Sequence, residues 1–200
     1  NACRVVLPDS EWSTQCYSDG SKYNHQAGYG YTITNGWYEF KHGNGFLGTE
    51  ATVFQSEIMA IQKCAEVLAN EEVHEAIIYS DSQAALGALT SLKIQHKSVE
   101  KCIKTLNGVA MDMKLTLAWI KAHADHPGNE RADCLAKTGT TNTNNLVNIP
   151  NPLSTAKVKL RKNTYNLWHK EWKDYKEARQ CKIWFPTINC KASEGLLKLG

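Results

Sequence analysis

No stretch of this 200-residue chain approaches the roughly 20 consecutive apolar residues that a bilayer-spanning helix needs, and no charged-then-apolar leader stands at its start. Membrane-spanning and secreted readings are therefore set aside. The seven cysteines are odd in number and scattered, with no C-x-x-C pair, which excludes a disulfide framework and a structural zinc site as organising devices. A reducing compartment fits best, so the expected setting is intracellular, cytoplasm or nucleus. No tandem repeat of solenoid period is found. With 42% apolar and 22% charged residues, the chain is neither disordered nor collagen-like. It opens on Asn1, not Met, and is read as excised from something longer.

What is present is unevenly placed. The net charge of +3 divides into 12 basic against 16 acidic residues over 1–137, and 11 against 4 over 138–200. A basic segment beside an acidic one points to a polyanion partner. Between them runs TGTTNTNNLVNIPNPLS, rich in Thr, Asn and Pro and free of charge, which reads as a linker. The division expected is a folded domain over 1–138, a linker over 139–153 and a basic helical extension over 154–200.

The first region begins with strands. Thr14 to Asp19 leads into Gly20, Ala27 to Thr34 alternates, and Asn35-Gly36 is a hairpin signal before a return strand from Trp37 toward Leu47. From Thr52 to Ala69 the period changes: Phe54, Ile58, Ile61, Ala65 and Leu68 share one helix face, and Thr52 with Gln55 matches a capping box. Ala76 to Tyr79 reads as a buried strand, Ser82 to Leu92 and Val99 to Met111 as helices, Leu115 to Ile120 as a strand and Asn129 to Lys137 as a last helix. Three antiparallel strands followed by alternating helices and strands predict a mixed, five-stranded α/β sheet covered by helices.

Two strand ends spell nearly the same thing, Tyr17-Ser18-Asp19 and Tyr79-Ser80-Asp81. If those strands pair in parallel, both aspartates emerge at one sheet edge, where α/β proteins place ligands. Glu57 falls on the margin of its helix's buried stripe, and Asp133 lies early in the last helix beside Ala132 and Ala136. Four acids on one spot repel by about 4 kcal/mol for each pair about 4 Å apart at an effective dielectric near 20. A bound divalent cation removes that cost, and an all-oxygen ligand set favours Mg²⁺ or Mn²⁺ over zinc. Two such ions are the usual device for in-line phosphodiester cleavage. His123 and His126 with Cys134 lack the fourth ligand and the spacing of a zinc site.

Asp19 in YSDGS, Glu57 in FQSEIMAI, Asp81 in IIYSDSQAAL and the run WIKAHADHPGNERADCLAK from Trp119 to Lys137 together resemble the four motifs of type 1 ribonuclease H, over about residues 12 to 138. The resemblance implies an RNase H-like fold with Asp19, Glu57, Asp81 and Asp133 as catalytic, metal-holding carboxylates and two Mg²⁺ ions. It makes His123 a loop histidine that assists proton transfer or product release. It also implies an endonuclease that cuts the RNA strand of an RNA/DNA hybrid, leaving 5′-phosphate and 3′-hydroxyl ends. Where the family has glycine before that histidine this chain has Ala122, and where it has an Asn-Gln pair that reaches 2′-hydroxyls this chain has Val53-Phe54. The short join from Lys93 to Ser98 leaves no basic handle.

The tail, with Trp168, Trp172, Arg179 and Trp184-Phe185-Pro186, is similar to the segment after the ribonuclease H domain of non-LTR retrotransposon polyproteins. That implies a reverse transcriptase domain in the same polyprotein and a role in removing template RNA. A cellular ribonuclease H and a catalytically silent hybrid-binding domain are the alternatives. In the tail helix, Leu160, Leu167, Trp168, Trp172 and Tyr175 share a face expected to pack on a neighbouring surface. Lys159, Lys162, Lys170, Lys173 and Lys176 lie opposite, as candidate phosphate contacts. The sequence leaves the oligomeric state undefined.

Overall fold

A computed structural model describes residues 14–94, 96–122, 124, 126–150, 153–177 and 179–186. They form β1 (Thr14–Tyr23), β2 (Gln26–Asn35), β3 (Tyr38–Gly48), α1 (Val53–Leu68), β4 (Glu75–Ser80), α2 (Gln83–Thr90), α3 (Lys97–Asp112), β5 (Lys114–Trp119), α4 (Pro127–Thr141), α5 (Leu153–Asp174) and α6 (Arg179–Trp184). Two compact units result, divided after Asn151.

In the first unit the strands make one mixed sheet in the order β3-β2-β1-β4-β5. The β1-β2-β3 meander is antiparallel, while β4 pairs parallel with both β1 and β5. The Asn35-Gly36 turn forms as its sequence demands, with Gly36 at φ 58°. The turn before it was not foreseen: β1 does not stop at Asp19 but runs on to Tyr23, and Asn24 and His25 turn the chain at φ 47° and 65°.

One sheet face is covered by α1 and α3. Ile58, Ile61, Ala65 and Leu68 of α1 are fully buried against Cys16, Ile33 and Ile78 of the sheet and Val99 and Cys102 of α3. Each such large aliphatic side chain contributes about 1.5–3 kcal/mol of burial free energy. Thr52 caps α1 as its sequence predicts, its hydroxyl accepting from the Gln55 N–H at 3.2 Å while the Gln55 side chain returns to the Thr52 N–H. Cys16, Cys64 and Cys102 are free thiols inside this core.

Helix α4 packs on β2 at Gly30, where an added Cβ would collide with the backbone of Ala132, Leu135 and Ala136. The helix predicted to end at Lys137 continues to Thr141, and the residues after it are not a free linker. Phe46 N–H donates to Asn145 O at 3.0 Å, Val147 N–H to Phe46 O at 2.8 Å, and Gln55 Nε2 to Pro150 O at 2.8 Å. The polar, chargeless composition that suggested a linker instead supplies backbone and amide groups that pair with β3 and α1.

The second unit holds α5 and the short α6. Lys182 Nζ donates to the carbonyls of Lys173 and Tyr175 at 2.9 and 2.6 Å, satisfying acceptors at the end of α5, and Trp172 Nε1 donates to Phe185 O at 3.0 Å. Leu160, Leu167, Trp168 and Tyr175 are exposed.

Candidate active site

Parallel pairing of β1 with β4 sets Tyr17 opposite Tyr79 and Ser18 opposite Ser80. The repeated spelling thus brings Asp81, just past the end of β4, beside Asp19, which lies within β1 rather than at its end. Glu57 arrives from the first turns of α1 because Gly20 lets that helix's backbone lie directly on β1; a Cβ there would meet Glu57 N and Ser56. One carboxylate oxygen from each of Asp19, Glu57 and Asp81 lies within 4.8 Å of the others.

Asp19 and Glu57 are buried and Asp81 is half-buried. Loss of hydration, then the neighbouring charges of Asp81 and Asp133, push Asp19 up to about 7, and a hydrogen bond from the Gly20 backbone opposes the rise. Glu57 goes up to about 9 for the same leading reason, with Asp19 and Asp81 adding to it. Glu57 Oε2 is buried without a hydrogen-bond partner. An orphaned carboxylate oxygen beside two more acids is a donor set that fits a hard divalent cation.

Asp133, the fourth predicted acid, is near enough to act on Asp19 but stands outside that cluster. Its Oδ2 accepts from Lys137 Nζ at 2.6 Å, one helical turn on. His123 lies outside the described residues. Of the departures noted in the sequence, Val53 is exposed, whereas Phe54 packs against the core with its ring centroid 5.6 Å from that of His96. Lys159, Lys162, Lys170 and Lys173 on α5, and Lys176 just after it, are all exposed.

Sequence reasoning missed Asn129. It is 3% exposed, and its Nδ2 donates to Asp81 Oδ2 at 3.4 Å. Trp119 was noted only as the start of a motif, yet its Nε1 donates to Asp81 O at 3.1 Å.

A 3-2-1-4-5 mixed sheet whose central parallel strands deliver two aspartates to a helix-borne glutamate defines a carboxylate-centred nuclease of RNase H-like fold. The RNase H family model matches residues 11–141, and the chain belongs to that family of divalent-metal-dependent ribonuclease H enzymes. It is 33% identical over 137 residues to a ribonuclease H of Baumannia cicadellinicola, covering 62% of this chain and 87% of the relative. The fold is similar to that of RNase H1 from Halobacterium salinarum, at TM-score 0.55 and 20% identity, covering 66% of this chain and 99% of that one. It is also similar to LC11-RNase H1 solved in complex with an RNA/DNA hybrid, at TM-score 0.54 and 18% identity, covering 64% and 97%.

Proposed function

We propose that this chain hydrolyses the RNA strand of RNA/DNA hybrids, and that it is the ribonuclease H of a non-LTR retrotransposon polyprotein. There it would clear template RNA made redundant by a reverse transcriptase domain of the same polyprotein. The observation that carries the hydrolytic reading is the convergence of Asp19, Glu57 and Asp81 within 4.8 Å around an unpartnered buried Glu57 oxygen. The bound hybrid of the LC11 relative supports the substrate. The W-x-x-x-W spacing of Trp168 and Trp172 with Trp184-Phe185-Pro186 supports the retroelement setting.

Two divalent cations, Mg²⁺ or Mn²⁺, would supply Lewis acidity and orientation for in-line displacement at phosphorus. Asp19, Glu57 and Asp81 would hold them, joined by Asp133 once its oxygen leaves Lys137. His123 would carry a proton at the exit side. Hybrid geometry and the RNA strand's 2′-hydroxyls, rather than base sequence, select the strand that is cut. The exposed lysines of α5, with Lys176 just after it, would grip phosphates.

The test is cleavage of an end-labelled hybrid in Mg²⁺ by wild type and Asp81→Asn. Wild type should yield 5′-phosphate ends and the variant only background. Equal activity in both would sink the site. An in-frame reverse transcriptase upstream in the source transcript supports the polyprotein reading, and a stand-alone frame overturns it.

A further inference from the structure

We propose that Asn129 is a positioning residue that sets the rotation of the Asp81 carboxylate and thereby the metal affinity of the acid cluster. The inference rests on the ribonuclease H reading and deepens it. The backbone around Asp81 is already fixed on three sides. Ile120 N–H donates to Ser80 O at 3.1 Å, Trp119 Nε1 to Asp81 O at 3.1 Å, and Ser82 N–H to Ser80 Oγ at 3.2 Å. What these bonds leave free is the side-chain torsion of Asp81. The Asp81 carboxylate receives the amide of Asn129.

Asn129 is itself held in place. It sits in the first turn of α4, where the preceding Gly128 lies against the Tyr17 ring so closely that any Cβ would overlap it. Tyr17 in turn stacks on Tyr79, with ring centroids 5.1 Å apart and planes 20° apart. The helix start is thus braced on the same two strands that carry Asp19 and Asp81.

The orientation of the amide follows from its neighbour, since a carboxylate accepts and only the NH₂ end can face it. The other end, Oδ1, is buried and has no partner. A buried amide with one end on a candidate ligand and the other unsatisfied is costly to keep for packing alone.

Asn129→Leu keeps the volume and removes the donor without adding a charge beside Asp81. In the full chain, calorimetric titration with Mn²⁺ should show affinity reduced about 10- to 100-fold, the range for residues that orient a metal ligand. The melting temperature in EDTA should hold within a few degrees. In an Asp81→Asn background the same substitution should change Mn²⁺ affinity less than about threefold, because the two act as a unit. Asn129→Ser, which keeps a hydroxyl donor, should fall between, and it serves if the Leu variant does not fold. Wild-type Mn²⁺ affinity in folded Asn129→Leu, or an equal loss in both backgrounds, overturns the proposal. A wild type that binds Mn²⁺ but leaves hybrid intact would instead overturn the ribonuclease reading, while the titrations still decide the role of Asn129.

Discussion

Burial beside other acids pushes Asp19 up to about 7 and Glu57 up to about 9, with lost hydration the larger cause in both. Between the ordinary carboxylate range and those values the folded, metal-free chain holds protons that the unfolded chain has released. Because the folded state then binds more protons, stability falls as pH rises from about 4 to about 9. Thermal melts in EDTA should show that decline, and Glu57→Gln should flatten it. Mn²⁺ replaces those protons, so its gain in melting temperature should be larger at pH 8.5 than at pH 6; equal gains would contradict the assignment. Lys137 offers a second residue-scale test. Lys137→Met releases Asp133 and should lower the Mg²⁺ concentration for half-maximal cleavage roughly twofold to fivefold, the size expected of an exposed ion pair. Asp19 and Asp81 were legible in the sequence because two strand ends repeat the same triplet, and Glu57 because it borders a periodic stripe. Asn129 was not, because an asparagine near a helix start looks like an ordinary cap, and only the fold reveals its burial under Asp81.

Elements meet at this site because glycines remove the side chains that would hold them apart. Gly30→Ala would drive a methyl into the α4 backbone, which cannot yield as a flexible side chain can. The expected cost is about 1–3 kcal/mol in denaturant unfolding, together with a loss of cleavage, since α4 carries both Asn129 and Asp133. Gly87→Ala in α2 is the control: nothing lies within 4 Å of its added Cβ. It should stabilise by about 0.5–1 kcal/mol through helix propensity and leave cleavage unchanged. Strand and helix periods were readable in Ile58, Ile61, Ala65 and Leu68 and in the Asn35-Gly36 turn. The β1 hairpin was not, because Gly20 looks like a strand terminus when its actual use is to admit α1, and a turn at Asn24-His25 carries no glycine. The extra length of α4 was hidden for a related reason: Thr138 to Thr141 are poor helix formers, and packing against β2 and β3 overrides their propensity.

At the scale of the whole chain, the acids proposed for the chemistry would also repel a polyanionic substrate. Residues 1–137 carry 12 basic and 16 acidic side chains, and 138–200 carry 11 and 4. Helix α5, 22 residues long, spans about 33 Å, close to one turn of a nucleic-acid duplex. Lys159, Lys162, Lys170 and Lys173 of this helix, and Lys176 just after it, are exposed. Each phosphate neutralised by such a lysine adds about 0.9 to the slope of log binding constant against log salt. Replacing all five by glutamine in the full chain should therefore reduce that slope by about 2 to 4. Affinity should fall most at low salt, where released counterions contribute most to binding. Cleavage at saturating hybrid should stay at the wild-type rate, because none of the five belongs to the acid cluster. An unchanged slope would show that α5 uses its basic face for something other than the hybrid, an acidic protein surface being the next candidate. A reduced slope with a reduced saturated rate would mean instead that α5 also orders the catalytic unit, which a melt of that variant would register directly.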